Sequence, residues 1–233
     1  MKIVSFKICP FVQRVTALLE AKTIDYELEF IDLKNKPQWF LDISPHGQVP
    51  VLITDHGMPL FESDAISEYI EEVFPELQPG LSPENKASNR AWSYLATKNY
   101  LVQCGAQSSA DKETLKKRSE KLEQAFDKIE NQLGDRPFFN GEKIGMVDIA
   151  WLTLLHRADI IEQRSGYDFI GKRPKLKKWQ KQMMNTGLAE KSVAPDFEDV
   201  FSGFYLSEQT FLGRRGGPER LPANSSRSSG SCC

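Results

Sequence analysis

The sequence predicts a small α/β domain joined to a larger all-α domain. Strand and helix patterns alternate through residues 2–74, whereas every periodic segment after residue 85 has helical spacing. Between the two parts lies a stretch punctuated by proline and glycine, PELQPGLSPEN, which is typical of a linker. A chain of 233 residues is long enough for two modest domains, each with its own core.

The first part contains two kinds of apolar repeat. A period of two predicts strands at residues 2–8, 26–33, 48–54 and 56–61, the last two around an Asp55-His56-Gly57 turn. Helical spacing predicts one helix after residue 10, a short one between the second and third strands, and a third along residues 66–74. The expected order is therefore strand, helix, strand, short helix, strand, strand and helix.

The second part is predicted to be helical throughout. Ser82 followed by Pro83 is a favourable helix start, with a serine cap and a proline in the first turn. Apolar stripes follow at residues 115–133 and 176–183, and residues 148–161 are apolar on nearly all sides, as in a buried helix. We expect an amino-terminal domain at 1–77, a linker at 78–83, a helical domain at 84–212 and a disordered, polar tail at 213–233.

Charge and composition exclude several classes of protein. With 30 Lys and Arg against 32 Asp and Glu, the formal net charge is −2, which gives no general attraction to nucleic acid or to an anionic membrane. No apolar run reaches the roughly 18 residues that a spanning helix needs, and the first residues lack the pattern of a secretory signal. We therefore expect a cytoplasmic protein that binds neither nucleic acid nor membrane.

The cysteines do not form a disulfide framework. Two lie far apart and two are adjacent at the end of the chain: Cys9, Cys104, Cys232 and Cys233. The three histidines are scattered, so no Cys/His cluster has metal-site spacing, and we expect reduced thiols and no metal. The terminal pair resembles the double-cysteine lipidation signal of small membrane-trafficking GTPases, but an unmodified tail is the default expectation.

Cys9 is placed where a strand ends and a helix begins. Pro10 follows it, and a proline in the first turn fixes the start of the helix beside the sulfur. The N–H groups and dipole of a helix start favour a thiolate, which is the nucleophilic form of cysteine. A lone cysteine is more often a small buried apolar residue. The strand–Cys–Pro–helix context nevertheless favours a chemical role here.

No second cysteine stands near Cys9 to complete a redox dithiol. The position three residues later, where a C-x-x-C motif would have its second cysteine, is Val12. Chemistry through Cys9 therefore needs an external thiol, which attacks a mixed disulfide after it has formed. A cellular thiol peptide such as glutathione is the obvious candidate.

Four segments in order, CPFVQR, LKNKPQWF, HGQVPVL and FESDAISEYI, resemble the cytosolic glutathione transferase family. They look most like the cysteine-dependent omega class and its bacterial relatives, and the likeness extends over residues 1–200. It implies a thioredoxin-like amino-terminal domain, an all-helical carboxy-terminal domain, and a homodimer that uses glutathione as co-substrate without a metal. The implied activities are thiol transfer, deglutathionylation, or reduction of a small oxidised compound such as dehydroascorbate.

The resemblance also assigns the site. Cys9 would form a mixed disulfide with glutathione, and Pro50 would be the cis-proline of QVPVL. The backbone of Val49 would pair with the cysteinyl part of glutathione in the manner of an added strand.

The ends of glutathione would be bound by three further residues. Glu62 suits the γ-glutamyl ammonium, Ser63 at a helix N-terminus suits the adjacent carboxylate, and Lys36 would reach the glycyl carboxylate. Taken singly, Ser63 is better explained as a plain helix N-cap, and Glu62 and Lys36 as solvated surface charges. Their fit to one peptide together favours binding.

The second substrate, a small oxidised or electrophilic compound, is expected between the two domains. Aromatic candidates for its pocket are Phe11, Trp92, Phe201, Phe204 and Tyr205. For each of these residues, packing in the core of amphipathic helices is the alternative.

The chain departs from the family pattern at Gly145. The family usually has Ser or Thr there, three residues before Asp148, as the cap of the buried helix. Glycine is weaker than serine as an N-cap by about a few tenths of a kcal/mol, which concerns stability more than function.

A non-catalytic protein of the same fold is the alternative function. The resemblance includes a stress-related protein that binds bacterial RNA polymerase. A scaffold of that kind has no need of Cys9, Lys36, Glu62 and Ser63, and their presence favours the enzyme.

Overall fold

The computed structural model describes residues 1–215, and within them the chain forms four strands and ten helices. The strands are β1 (Lys2–Ser5), β2 (Glu27–Phe30), β3 (Val51–Ile53) and β4 (Pro59–Phe61). The helices are α1 (Pro10–Ala21), α2 (Gln38–Ile43), α3 (Ser63–Val73), α4 (Pro83–Gln107), α5 (Lys112–Gln132), α6 (Met146–Ser165), α7 (Pro174–Met184), α8 (Leu188–Lys191), α9 (Phe197–Tyr205) and α10 (Phe211–Arg215).

The strands form one mixed sheet in the order β2-β1-β3-β4. β1 is parallel to β2, because α1 carries the chain back across the sheet, and it is antiparallel to β3. Ile3 lies opposite Leu28 on one side and Leu52 on the other. This β1-α1-β2 unit followed by an antiparallel hairpin is the thioredoxin-like domain that the sequence predicted.

The strands are shorter than their apolar patterns. β1 ends at Ser5, since the chain then turns and the Cys9 N–H donates to the Phe6 carbonyl at 3.0 Å. β3 begins at Val51, after a cis peptide bond between Val49 and Pro50, as the resemblance implied.

The helical domain surrounds α6. The central residues of α6 are buried on all sides, and this helix packs against α4, α7 and α1. α4 begins as predicted, with Pro83 in the first turn and the Ser82 hydroxyl accepting the Asn85 N–H at 3.2 Å. The buried apolar side chains of the two domains form one continuous cluster, so α1 of the first domain and α6 of the second share a core.

The last described helix, α10, ends at Arg215, beyond the boundary predicted at residue 212. The rest of the predicted tail, with Cys232 and Cys233, lies outside the described residues. None of the helices between residues 1 and 215 has both the length and the apolar character needed to span a bilayer.

Candidate active site at the start of α1

Cys9 is the N-cap residue of α1. Its backbone is extended, Pro10 occupies the first turn, and the Gln13 N–H donates to the Cys9 carbonyl at 3.2 Å. The first turn contains no acidic side chain. The field of the helix start is therefore available to the sulfur, as the sequence predicted.

The thiol of Cys9 lies beside the cis-proline loop. Its Sγ is 3.8 Å from the carbonyl oxygen of Val49, the residue before Pro50. The side chain is buried, with 2% of its surface exposed. The structure thus brings Cys9 close to Val49, which lies 40 residues later in the sequence, and to the neighbouring Pro50.

A cavity of about 110 Å³ adjoins this loop. It is lined by Phe11, Ser44, His46, Gln48, Val49, Pro50, Phe61, Glu62, Ser63 and Leu101. A single cavity is therefore lined by four residues that were predicted to bind glutathione and by one, Phe11, that was predicted to contact the second substrate. Lys36 is not among the lining residues; its Nζ lies 3.6 Å from the position that a Cβ would take on Gly47, which stands between the lining residues His46 and Gln48.

Glu62 and Ser63 form a sharp corner between β4 and α3. Glu62 has φ +66°, which a residue with a side chain rarely adopts and which costs on the order of 1–3 kcal/mol. The corner exposes the Glu62 side chain and places Ser63, which is buried, as the first residue of α3. Strained backbone of this kind is found mainly at binding and catalytic sites.

Cys9 is not among the residues that line the cavity beside the cis-proline loop, but it does line a second, narrower cleft between the domains. Lys7, Phe30 and Ser192 are among the other residues that line it. An ion pair between Lys7 and Asp196, at 2.5 Å, joins the β1–α1 loop to the start of α9, and the Lys7 ammonium lies 5.8 Å from the centre of the Phe30 ring. Cys9 therefore lines the cleft, and it is linked to the cavity through Val49, whose carbonyl oxygen its sulfur contacts.

The predicted second-substrate aromatics do not gather around the sulfur. Phe11 lines the cavity, but Trp92 packs against Phe139 at 5.9 Å within the helical domain. Phe201 and Tyr205 are fully buried and contact each other, and Phe204 packs on Tyr205. For these four residues the geometry agrees with the alternative of core packing, and their role in substrate binding stays a prediction.

A buried polar cluster between α1 and α6 was not foreseen. The Gln13 amide bonds to Nδ1 of His156 at 2.8 Å, and the His156 ring stacks on Phe197 at 5.4 Å. Burial, with the adjacent Arg157 charge, lowers the pKa of His156 to about 3, so this ring is neutral at pH 7. The sequence did contain an indication of this cluster, because His156 and Arg157 are adjacent in a helix that is apolar on nearly all sides. Polar side chains buried in such a helix need hydrogen-bond partners.

Other residues of the cavity were also missed. Ser44 and Leu101 line it without any pattern that marks them in the sequence, whereas His46 and Phe61 begin two of the segments that resemble the family but were given no role. Leu101 comes from α4 and is close to the cavity only because the two domains pack together. Within residues 1–215 no group of three or more His, Cys, Asp or Glu side chains is arranged to hold a metal ion.

Comparison with known proteins gives two matching family models. One is described as the N-terminal domain of glutathione S-transferase and matches residues 8–73. The other is the C-terminal domain of the same family and matches residues 113–180. The first of these ranges contains every residue predicted to bind glutathione.

Individual relatives agree with the family models. The chain is 32% identical to glutathione S-transferase omega-1 of Rattus norvegicus over 214 residues, covering 89% of this chain and 87% of that protein. It is 30% identical to the probable glutathione S-transferase DHAR2, chloroplastic, of Oryza sativa over 198 residues, covering 84% of this chain and 69% of that protein. The crystal structure of rice GST1 in complex with glutathione has a TM-score of 0.73 and 25% identity, covering 91% of this chain and 94% of that one.

Proposed function

Because the chain belongs to the glutathione S-transferase family, and is thus an enzyme with glutathione as co-substrate, we propose that Cys9 is its nucleophile. The reaction is thiol–disulfide exchange, including deglutathionylation and the reduction of small oxidised compounds. One observation carries the proposal. The Cys9 sulfur, at a helix start without acidic residues, lies 3.8 Å from the Val49 carbonyl, beside the cavity that Glu62 and Ser63 also line.

The cavity offers one partner for each part of glutathione. The backbone of Val49 pairs with the cysteinyl residue, which directs its sulfur to Cys9. At the corner before α3, Glu62 binds the γ-glutamyl ammonium, and Ser63 with the helix N-terminus binds the carboxylate. Lys36, whose Nζ is close to Gly47, binds the glycyl carboxylate.

The reaction has two exchange steps. In the first, the Cys9 thiolate attacks the glutathionyl sulfur of a mixed disulfide R–S–S–G; the Cys9–glutathione bond forms, and R–S⁻ leaves and takes a proton from water. In the second, the thiolate of another glutathione attacks the glutathionyl sulfur on Cys9, releasing oxidised glutathione and restoring the Cys9 thiolate. A hydroxyl group at this position could not form such an intermediate.

The assembly and location of the enzyme are part of the same proposal. Phe61 and Leu101 are more than a third exposed at the rim of the cavity, and Met58 is 62% exposed nearby on the chain. Exposed apolar side chains of this size favour burial against a second copy, as in a homodimer. We propose a cytoplasmic homodimer, and sedimentation of the purified chain measures its oligomeric state.

The decisive experiment locates the glutathione adduct. The full chain is incubated with oxidised glutathione, and the adduct is assigned by intact mass and peptide mapping. We expect a glutathionyl group on Cys9 that dithiothreitol removes, and a loss of thiol-transferase activity of at least about 1,000-fold in Cys9→Ala. Cys104→Ala, a matched variant at another buried cysteine, should keep both properties.

Two outcomes would contradict the proposal in different ways. Full activity in Cys9→Ala would assign the chemistry to another residue. Absence of both the adduct and glutathione binding would favour the non-catalytic, protein-binding alternative.

A further inference from the structure

Arg157, on α6, is a buried cation without a carboxylate partner in the described part of the chain. Its side chain is 0% exposed, and none of the ion pairs within 4.0 Å among residues 1–215 includes it. Its Nε also has no hydrogen-bond partner there. An arginine cannot escape this penalty by losing its proton, so the charge persists in the core. A buried charge of this kind calls for an anion.

The guanidinium of Arg157 holds both ends of the first turn of α1. One nitrogen donates to the carbonyl of Ile8, the residue before Cys9, at 3.2 Å. The other donates to the Gln13 side chain, one turn after Cys9, and to the Thr153 carbonyl of its own helix at 3.2 Å. Hydrogen bonds from the helical domain thus hold the chain in position on both sides of Cys9.

The other charges around Cys9 cancel in pairs. Arg14, which is also buried on α1, pairs with Asp64 of α3. Lys7 pairs with Asp196 at the start of α9. The histidine beside Arg157 on α6 is neutral at pH 7, because burial lowers its pKa to about 3. Arg157 also lies 5.4 Å from the centre of the Phe197 ring, but among the described residues it has no anionic partner, and its positive charge is close to the backbone of Cys9.

We propose that Arg157 is a positioning residue for Cys9: it anchors the first turn of α1 to the helical domain, and its buried charge favours the thiolate. This inference rests on the proposed role of Cys9. In the low-dielectric interior a cation is effective over several ångströms, so the guanidinium need not touch the sulfur. The thiolate in turn supplies the anion that the buried guanidinium otherwise lacks.

The test measures the reactivity of Cys9 separately from the activity of the enzyme. The rate of alkylation of Cys9 by iodoacetamide is followed by peptide mass at about pH 6 and about pH 9, since only the thiolate reacts. Arg157→Met removes the charge and keeps an apolar side chain, whereas Arg157→Lys keeps the charge and loses the forked hydrogen bonds. The double variant Arg14→Met with Asp64→Asn removes a second buried arginine without changing the net charge.

We expect Arg157→Met to slow alkylation about 10-fold or more at about pH 6 and only about 2-fold at about pH 9. Arg157→Lys should stay within about 3-fold of the parent protein at both values, and so should the Arg14/Asp64 double variant, even if its melting temperature falls. Equal slowing of Arg157→Met at both values would mean that Arg157 acts on structure alone. If Arg157→Met does not fold, more than about 10-fold slowing in Arg157→Lys at about pH 6 would overturn the role of the charge.

The outcome is separable from that of the proposed function. If Cys9 is not the nucleophile of the enzyme, the Arg157 variants still change its alkylation but leave turnover unchanged. If the inference about Arg157 fails, turnover still depends on Cys9.

Discussion

Helix α1 starts at Cys9 and helix α6 at Gly145, and in both the capping residue has extended backbone and no side-chain cap hydrogen bond. The third helical position differs. It is Val12 in α1 and Asp148 in α6, where the carboxylate accepts the Gly145 N–H at 2.8 Å. The positive end of α6 is thus occupied by an anion from its own first turn, and that of α1 is not.

In α6 the occupying carboxylate serves stability. The other oxygen of Asp148 accepts the Phe139 N–H at 2.9 Å and the Trp179 indole N–H at 2.8 Å. Burial raises the pKa of Asp148 to about 6 while the three donors act against that rise, so the group is ionised at pH 7. Both helix starts present N–H donors to an anion, although at Asp148 the cost of burial exceeds the stabilisation that those donors supply. In α6 the anion is the side chain of Asp148. In α1 the first turn has no acidic side chain, so its N–H groups are available to the sulfur of Cys9, which must react.

The difference between the two helix starts can be removed by placing a carboxylate in the first turn of α1. Val12→Asp places an acid at the third position of α1, so that it competes for the same N–H groups and repels the Cys9 thiolate. We expect alkylation of Cys9 at pH 7 to fall about 30-fold, the effect of a like charge in a partly buried site. Val12→Asn, which has nearly the same shape without the charge, is the control and should lose less than about 3-fold. Similar rates in the two variants would refute the electrostatic account.

The reverse change removes the carboxylate from the first turn of α6, and it should destabilise the protein. Asp148→Asn replaces one carboxylate oxygen by an NH₂ group, which then faces the N–H of Gly145. We expect the free energy of unfolding at pH 7 to fall by about 2 kcal/mol, the cost of an unsatisfied buried donor. Chemical denaturation measures it, with Asp159→Asn on the exposed side of the same helix as the control, for which less than about 0.5 kcal/mol is expected. A loss of that small size at Asp148 would show that the carboxylate does not stabilise the start of α6.

A smaller effect concerns the glycine cap of α6. A Cβ on Gly145 would overlap the Gln78 side-chain oxygen, although the backbone at φ −136° suits any residue. Gln78 meanwhile donates to the Lys143 carbonyl at 3.0 Å and accepts from Asn140 at 3.1 Å. Gly145→Ser should therefore destabilise the protein by about 1 kcal/mol, because Gln78 must move.

The sign of this effect should reverse when Gln78 is truncated. In a Gln78→Ala background the serine has room to cap the helix, and Gly145→Ser should stabilise the protein by about a few tenths of a kcal/mol. Equal effects in both backgrounds, measured by denaturant titration, would show that Gln78 is not the reason for the glycine.

Much of the fold could be predicted because its signals are local. The order of strands and helices in the first domain and the Ser82-Pro83 start of α4 follow from apolar periodicity and from residues adjacent in the chain, whereas the glycine start of α6 was inferred from the family pattern. The extent of β1 was predicted less well. Its apolar pattern continues to residue 8, but the chain leaves the sheet after Ser5 to form the turn that positions Cys9.

The site was predictable only in part. Each motif that marks the site is a short stretch of sequence; together these motifs contain Cys9, Val49, Glu62 and Ser63. The family resemblance indicated that they bind one ligand. The aromatic residues of the helical domain could not be assigned, because a stripe that faces a substrate and a stripe that faces the core have the same spacing. Phe201, for example, is fully buried.

The starts of α1 and α4 could be read from the sequence, and with them the position of a cysteine at the positive end of α1, because these helix starts depend on a few neighbouring residues. The surroundings of that cysteine depend on how the two domains pack. Arg157 contacts the Ile8 carbonyl and the Gln13 side chain across separations of 149 and 144 residues. Such contacts arise when two domains bury a common surface, and no local pattern in the chain encodes which polar groups will meet there.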